Sequence, residues 1–337
     1  EKPSWREIDR KRDRSRHVSR DEHSRSEKSL RSTWAKEQYL KEVDKLFQGE
    51  KGSKDHKTAL NAIHNSYGTS KFASSVKKYL KKYGIRLKKK SDIEGIRQAG
   101  QLVLNTLDLV ESAIAPGLIT DEINTLVHEY TIKNRATPAP LNYRGFPKSV
   151  CVSVNEVICH GIPGNRVIKD GDIVNVDVTS ILNGYYADAN KTFMAGDPDP
   201  DARKIVTIAR ECLGQGMSAV KPGNTLGDIG WSIQTYAEAR GCSVVREFVG
   251  HGVGLDFHEA PQVPHFGHKG TGIPLIPGMV FTIEPMINLG QKELRILDDN
   301  WTAITRDGSL SAQFEQTILV TEGGYESLTP YDLGCFR

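Results

Sequence analysis

Two aspartates lie on either side of Asn183-Gly184, a pair that strongly favours a two-residue β-hairpin turn. Residues 172–179 have the alternation of a strand, and a turn at this pair would set the register of the hairpin. Asp188 then lies two residues from the position opposite Asp177, on the same face and about 7–8 Å away. Two carboxylates that face the same side repel each other unless a cation binds between them. The sequence therefore predicts a cation site here, and the alternative is a solvated hairpin face.

Three further segments each place one potential metal ligand in a glycine-rich or apolar setting. His251 lies among glycines, where little side-chain bulk shields the imidazole, and Glu284 and Glu315 each interrupt an apolar, strand-like run. Burying a carboxylate without a partner is costly, so each glutamate needs a metal or, alternatively, a salt bridge with an arginine. Four carboxylates and one histidine together are typical of a site for two divalent ions such as Mn, Fe, Co or Zn.

Two other histidines occur in settings that could face a substrate. His160 lies in a turn-rich loop, and His258 follows His251 by seven residues. Neither has a potential ligand four residues further on, so we predict contact with substrate rather than with metal. The alternative for each is an ordinary surface histidine.

The elements that would hold these residues include an internal repeat. Residues 112–117 and 218–223 are similar at an offset of 106, and in each copy a helix ends at Pro-Gly before another begins at a threonine cap, Thr120 or Thr225. Two similar halves related by a pseudo-twofold are therefore expected. Strand-like stretches cover residues 149–154, 172–181, 185–195, 243–249, 279–288 and 312–321. The prediction is an α+β fold with helices packed on largely antiparallel strands.

The chain of 337 residues has an uneven charge distribution that divides it in two. Residues 1–90 contain 26 basic and 12 acidic residues, a net charge of +14, whereas the other 247 contain 19 and 30, a net charge of −11. We predict a basic N-terminal extension over residues 1–85, with residues 1–32 disordered and an amphipathic helix over 33–48. The catalytic domain is predicted over 86–337, with its first helix opened by a capping box of Ser91 and Glu94.

Composition excludes several classes of protein. No apolar run reaches about 18 residues, which argues against a membrane span, and no secretory leader opens the chain, so a cytoplasmic location is expected. The five cysteines are widely spaced and form no C-x-x-C pair, which argues against a disulfide scaffold and a zinc finger.

Four segments carry a specific resemblance: 155–163 (NEVICHGIP), 250–254 (GHGVG), 282–285 (TIEP) and 309–315 (SLSAQFE). Through them, residues 86–334 resemble type I methionine aminopeptidases. The resemblance implies the pita-bread fold, two related halves around a dinuclear metal site, and a monomer. It implies as metal ligands Asp177, Asp188, His251, Glu284 and Glu315. It implies as catalytic residues His160, His258 and Glu284.

The resemblance also implies a substrate pocket and a peripheral cation site. The pocket is implied at Tyr143, Phe146, Cys151, Phe257 and Trp301, with His160 and His258. Aromatic faces and a sulfur suit a thioether side chain, and Phe146 stands where the family often has tyrosine. A monovalent cation is expected near Asn155, Val157 and Ser311.

The activity implied is metal-dependent removal of the N-terminal methionine from nascent proteins whose second residue is small. Residues 1–85 fall outside the resemblance, and they lack the cysteines of the zinc-binding extensions found on some relatives. Their charge, interleaved with aromatic residues, predicts contact of residues 1–90 with the ribosome or its RNA. The alternatives are a proline-directed aminopeptidase and a non-enzymatic ribosome- or RNA-binding protein of the same fold.

Overall fold

The structure, a computed structural model, describes residues 70–334 of the chain. The predicted disordered segment 1–32 and the predicted helix 33–48 lie outside the described residues. By its internal contacts, the compact unit that contains the described residues begins at Ser70.

Five α-helices and fifteen short or long strands make up the described part of the chain. The helices are α1 (Ser70–Tyr83), α2 (Lys90–Ala113), α3 (Thr120–Lys133), α4 (Pro200–Ser218) and α5 (Leu226–Glu238). The strands are β1 (Thr137–Pro138), β2 (Cys151–Val154), β3 (Val157–Cys159), β4 (Ile173–Leu182), β5 (Tyr185–Met194), β6 (Ser243–Val244), β7 (Gly250–Gly252), β8 (Glu259–Val263), β9 (Val280–Ile283), β10 (Met286–Asn288), β11 (Leu294–Ile296), β12 (Ala303–Thr305), β13 (Ser311–Gln313), β14 (Gln316–Val320) and β15 (Tyr325–Ser327). Among the described residues, no helix is both long and apolar enough to cross a membrane.

The longest strands, β4 and β5, form the predicted hairpin in the predicted register. Asn183 and Gly184 make its turn with φ of 52° and 82°, the left-handed conformation that a two-residue hairpin turn of this kind requires. Asp177 pairs with Asn190, and Asp188 pairs with Thr179. The two aspartates are therefore diagonal neighbours on one face, as the turn position predicts.

The strands form antiparallel sheets that bring the predicted ligand segments together. The hairpin belongs to a sheet ordered β1-β4-β2 with β5 beside β4, and a five-stranded sheet follows the order β15-β14-β9-β7-β8. The prediction of largely antiparallel strands is confirmed. The predicted strand 243–249 is wrong in extent, because only Ser243–Val244 is extended there, and the exposed pair Arg246-Glu247 forms a bend before β7.

The internal repeat is present in both helices and hydrogen bonds. Helices α3 and α5 begin 106 residues apart, each after a helix that ends near a Pro-Gly turn. An isolated antiparallel bridge precedes each of them, Ile119 with Val167 in the first copy and Thr225 with Pro274 in the second. The repeated sequence therefore builds the same helix–turn–helix arrangement twice.

Two of the predicted helix caps are wrong in position. Thr225 does cap α5, with its backbone N–H donating to Asp228 Oδ2 at 2.8 Å. In the first copy Ile119 is the cap instead, and the Thr120 hydroxyl donates to the Gly164 carbonyl at 2.9 Å. Thr120 thus joins the helix to a loop 44 positions away in the chain. The local sequence pattern gave no sign of this contact.

The cap of α2 also differs from the prediction of Ser91 with Glu94. The cap residue is Lys89, whose N–H donates to Asp92 Oδ2 at 3.0 Å. An aspartate can accept this bond in place of the glutamate of the usual capping box. Glu94 instead contacts Arg97 and Gln98 on the exposed face of the helix.

The segment before α2 packs with the body that carries the site. Tyr79 of α1 is buried, as are Ile85 and Leu87 after it, and all three join a core built mainly from α4, α5 and the strands. The Tyr79 hydroxyl donates to the Pro274 carbonyl at 3.0 Å. Residues 70–85 therefore share the hydrophobic core of the unit for which the sequence predicted a start near residue 86.

Candidate metal centre

The five predicted ligand residues converge from separate strands. Asp177 lies in β4, Asp188 in β5 and His251 in β7, while Glu284 directly follows β9 and Glu315 directly precedes β14. His251 Nε2 is 3.7 Å from Asp188 Oδ2 and 3.6 Å from Glu284 Oε1. Potential ligand atoms of Asp188, His251 and Glu315 all lie within 4.8 Å of one another. The strand pairing therefore gathers the residues that the sequence had placed in four separate segments.

The imidazole of His251 is fixed in the form that a metal ligand requires. Its Nδ1 lies 3.0 Å from the Gly252 carbonyl oxygen, which can only accept, so Nδ1 carries the proton and Nε2 presents a lone pair to the carboxylates. Burial lowers the pKa of His251 to about 4, which keeps the ring neutral. Neutral imidazole with its second nitrogen held by a carbonyl is the usual arrangement of a metal-binding histidine.

Close packing of the backbone explains the glycines on both sides of His251. A Cβ at Gly250 would lie 2.4 Å from the Thr282 carbonyl oxygen, and one at Gly252 would lie 2.3 Å from that of Ala260. The strands on either side approach β7 too closely for any side chain. These glycines therefore hold His251 between its neighbours, as their pattern in the sequence predicts.

Neutral side chains hold three of the carboxylates from behind. The hydroxyl of Thr179 donates to Asp188 Oδ1, that of Thr282 donates to Glu284 Oε1, and the amide of Asn190 donates to Glu315 Oε2, each at 2.7 Å. Such donors orient a carboxylate and leave its charge uncancelled. The salt bridges considered from the sequence are not what orients these groups.

The carboxylates are buried so closely together that their acidity is strongly altered. Burial raises the pKa of Asp177 to about 7 and that of Glu284 to about 8. It raises the pKa values of Asp188 and Glu315 well above their usual range, with a further contribution from the neighbouring carboxylates. Asp177 Oδ1 is buried without a hydrogen-bond partner within the described residues. Clustered anionic oxygens, one of them without a donor, fit divalent cations that carry compensating charge.

Two residues that sequence reasoning missed support the cluster from outside. The Tyr331 hydroxyl accepts from the Glu315 N–H at 3.0 Å and lies 2.8 Å from the Asn190 carbonyl, which it can donate to. The Glu284 N–H donates to His265 Nε2 at 3.1 Å. Neither residue lies near its partner in the sequence, so no local pattern could have indicated these contacts.

One side of the centre is lined by a group of packed rings. Tyr143 lies 4.7 Å from Phe257 and 5.2 Å from His258 between ring centroids, and His258 lies 4.1 Å from His251. Tyr186 stacks on Phe257 at 6.4 Å. The sequence analysis missed Tyr186, although its position two residues before Asp188 places it on the same face of β5.

A second group of rings contains the other predicted pocket residues. Phe146 and Trp301 meet edge to face at 5.2 Å, and His160 lies 6.2 Å from Trp301 and 5.1 Å from Phe248. Phe248 was also missed, and its signal was its place just before the glycine-rich His251 segment. Cys151 is buried and pairs in register with Asp177. The two side chains therefore lie on the same face of the sheet.

The residues predicted to hold a monovalent cation are Asn155, Val157 and Ser311. The Ser311 N–H donates to the Asn155 carbonyl at 2.9 Å, so these two residues are in contact. The Asn155 side chain bonds to Asp172 Oδ1 at 2.8 Å, and Val157 begins β3. The structure thus brings Asn155 and Ser311 together.

Comparison with known proteins gives this geometry a family. Residues 94–322 match the metallopeptidase family M24. The chain belongs to this family. It is 56% identical over 246 residues to methionine aminopeptidase A of Synechocystis, covering 73% of this chain and 97% of that protein. It is 48% identical over 247 residues to methionine aminopeptidase of Escherichia coli, covering 73% and 94%.

Solved M24 structures agree with the fold. The crystal structure of methionine aminopeptidase from Rickettsia prowazekii matches with a TM-score of 0.72 at 45% identity, covering 73% of this chain and 100% of that one. An Xaa-Pro dipeptidase from Bacillus anthracis matches with a TM-score of 0.59 at 25% identity, covering 73% and 62%. The predicted pita-bread fold is therefore confirmed, and residues 1–93 precede the M24 match.

The raised carboxylate pKa values predict how an M24 chain without metal responds to pH. Between about pH 7 and pH 9 these groups bind more protons in the folded than in the unfolded state, so folding stability falls as pH rises. His251 is neutral in the folded state throughout that window and mostly neutral in the unfolded state, so its contribution is small. We expect the melting temperature of chelator-treated protein to fall from pH 7 to pH 9, and a divalent metal salt to restore it.

A matched pair of variants distinguishes the effect of the buried carboxylates from that of exposed ones. Glu315→Gln should flatten this pH dependence, because it removes one raised carboxyl, whereas Glu322→Gln at an exposed position should leave it unchanged. A melting temperature that is constant or rises over the window would contradict the prediction.

Proposed function

We propose that the chain is a methionine aminopeptidase that removes the N-terminal methionine from nascent polypeptides whose second residue is small. The observation that carries this proposal is the convergence of His251 Nε2 with two carboxylates at 3.6 and 3.7 Å, beside two groups of aromatic rings. Relatives named methionine aminopeptidase, at 45–56% identity over 73% of the chain, support it.

Two divalent ions (Co, Mn, Fe or Zn) are the proposed cofactors. The residues that would hold them are Asp177, Asp188, His251, Glu284 and Glu315. When bound, such ions lower the pKa of a water molecule and polarise a carbonyl group. A monovalent cation near Asn155, Val157 and Ser311 belongs to the same proposal.

The side chains at the centre suit the proton transfers of peptide hydrolysis. Glu284 takes the proton of the attacking water and passes it to the leaving amine, since it lies 3.6 Å from His251 Nε2 among the other carboxylates of the centre. Asp177, whose Oδ1 has no donor, accepts a hydrogen bond from the free α-amine of the substrate. An acylated N-terminus has a single N–H and no positive charge, so it would bind Asp177 less well than a free amine.

Two histidines complete the proposed mechanism. His258 stacks on Tyr143 and lies against His251, where its N–H can donate to the scissile carbonyl oxygen and stabilise the oxyanion. Burial lowers the pKa of His160 to about 4, so its ring is neutral and can donate to the scissile nitrogen or to the next peptide group. Both are proposed as catalytic residues.

The rival activities have less support. Among M24 structures, a prolidase from Pyrococcus furiosus matches at 24% identity with a TM-score of 0.57, a likeness that concerns the fold alone. A non-enzymatic binding protein of this fold would have no need of clustered carboxylates, whose burial is unfavourable without a cation. Activity on nascent chains would place the protein in the cytoplasm.

Substrate selection tests the proposal directly. We expect cleavage of Met-Ala-Ser by the metal-loaded chain, with a kcat/KM about tenfold or more above those for Leu-Ala-Ser and Met-Leu-Ser, because the ring-lined pocket favours a slender thioether and the second site a small residue. The measurement is amine release over a peptide series, with a chelator control. Comparable cleavage of Pro-Ala-Ser or Ala-Pro-Ser would instead support a proline-directed enzyme.

The proposed base has its own test. Glu284→Gln should keep the fold while lowering kcat by about 10²–10⁴, the usual range for loss of a general base. Bound metal should be measured alongside by elemental analysis, and the exposed Glu322→Gln variant serves as the control. Near-normal turnover of Glu284→Gln would remove this residue from the mechanism.

We further propose that the basic extension docks the enzyme on ribosomal RNA. Part of its charge is described: Lys77, Lys78, Lys81 and Lys82 of α1 are exposed, while Tyr79 on the other face is buried. Docking near the peptide exit would raise the effective concentration of the site over new N-termini. The alternative is a solvated segment that aids solubility, which the acidic residues among the first 50 favour.

Ribosome co-sedimentation distinguishes these possibilities. The full chain should bind ribosomes at low salt and lose binding steeply as salt rises, whereas a chain starting at Ser70 and carrying glutamate at the four exposed lysines should bind much less. A chain starting at Ser70 with its lysines intact retains the core contacts of α1 and is the control. Equal binding by all three, or binding that salt leaves unchanged, would contradict docking.

A further inference from the structure

A buried ion cluster lies behind the ring-lined side of the centre, outside the metal ligands. The Glu259 and Lys88 side chains are 2% and 1% exposed, and Lys88 Nζ donates to Glu259 Oε2 at 2.7 Å. Arg86 Nε donates to the same oxygen at 3.0 Å. Both cations come from the segment between α1 and α2, which precedes the M24 match at residue 94.

The second oxygen of Glu259 holds a loop. Glu259 Oε1 accepts from the backbone N–H groups of Leu255 at 2.7 Å and Asp256 at 3.1 Å. Arg86 adds an ion pair with Asp256 Oδ2 at 2.6 Å. One carboxylate therefore joins two cations on one side to two adjacent peptide groups on the other.

The start of this loop is fixed as well. The Tyr186 N–H of β5 donates to the Gly254 carbonyl at 3.0 Å. A Cβ at Gly254 would lie 3.1 Å from Lys88 Cε, so the lysine stem packs directly on the loop backbone. Residues 254–256 are thus held both by the hairpin that carries Asp188 and by the ion cluster.

The next two residues of the loop face the centre. Phe257 packs on Tyr143 with centroids 4.7 Å apart, and the His258 ring lies 4.1 Å from that of His251. Among the described hydrogen bonds, none involves the backbone N–H of Phe257 or His258. The neighbouring residues in the chain are held: Asp256 before them donates its N–H to the Glu259 side chain, and Glu259 follows them.

We propose that Lys88, Arg86 and Glu259 form a positioning cluster that sets the loop bearing Phe257 and His258 against the metal centre. The inference rests on the proposed function, in which these two residues contact the substrate. A carboxylate suits the task because it can accept from two peptide N–H groups and two cations at once. Apolar packing could fill the space but could not orient those N–H groups.

The cluster also changes how the basic segment is interpreted. Lys88 and Arg86 belong to the run of positive charge that the sequence analysis assigned to polyanion binding, yet Lys88 is fully buried and both pair with Glu259. Lys88 acts inside the fold, and the partly exposed Arg86 is paired with Glu259 and Asp256. The exposed lysines of the described segment are those of α1 together with Lys89 and Lys90, so the proposed polyanion footprint there comprises these residues.

The test substitutes Lys88→Met, which keeps the length of the stem and removes the charge. We expect bound metal to stay at the wild-type level, kcat on Met-Ala-Ser to fall about 10- to 100-fold from misplacement of His258, and the preference for methionine over leucine to narrow. Amide hydrogen exchange should accelerate at Leu255 and Asp256. The control is Arg97→Met, which removes the partly exposed ion pairs of a residue of α2 outside this cluster.

A second variant covers the case in which Lys88→Met does not fold. Arg86→Met removes a partly exposed side chain, 38% accessible, and should show the same pattern with a smaller loss. Unchanged kcat and selectivity despite faster exchange would overturn the proposal, as would loss of metal in step with activity. Failure of the wild-type chain to cleave methionyl peptides would defeat the proposed function, while exchange at Leu255 and Asp256 would still decide whether the cluster holds the loop.

Discussion

Mutual repulsion among four buried carboxylates is the constraint on which the rest of the structure depends. Asp177, Asp188, Glu284 and Glu315 lie in a space where burial raises all four pKa values. Such a cluster is unfavourable unless protons or cations neutralise it. A fold that keeps it must supply rigid elements on every side, and here strands of two antiparallel sheets do so, β4 and β5 in one and β7, β9 and β14 in the other.

The supports around the cluster share a chemical logic. Thr179, Thr282 and Asn190 orient carboxylates through neutral hydrogen bonds that leave the charge available to metal. Positively charged side chains act outside the carboxylate cluster, where Lys88 and Arg86 pair with Glu259. A cation within the centre would compete with the metal ions for the same oxygens, whereas one behind the loop can fix its position without that competition.

Helix α1 and the segment after it connect the basic extension to the part of the chain that carries the centre. Helix α1 buries Tyr79 in the common core while it exposes lysines, so one short helix joins the hydrophobic body to a basic surface. The segment that follows pairs with Glu259, which directly follows Phe257 and His258 in the chain. The described region before residue 94, which the M24 match does not include, therefore contributes to packing, to surface charge and to the contacts of this loop.

The sequence by itself determined the hairpin, its register and the diagonal placement of Asp177 and Asp188 on one face, because Asn183-Gly184 is a local signal with one favoured geometry. It also indicated the internal repeat and the glycines on both sides of His251. Four of its segments resembled type I methionine aminopeptidases. It misplaced the caps of α2 and α3. It also could not find the contacts of Tyr331 with Glu315, of His265 with Glu284 or of Lys88 with Glu259, since these bonds join residues from 16 to 171 positions apart. Residues so far apart in the chain come into contact only when the sheets and helices pack. The tertiary structure alone therefore decided how the clustered carboxylates are held and which lysines remain at the surface.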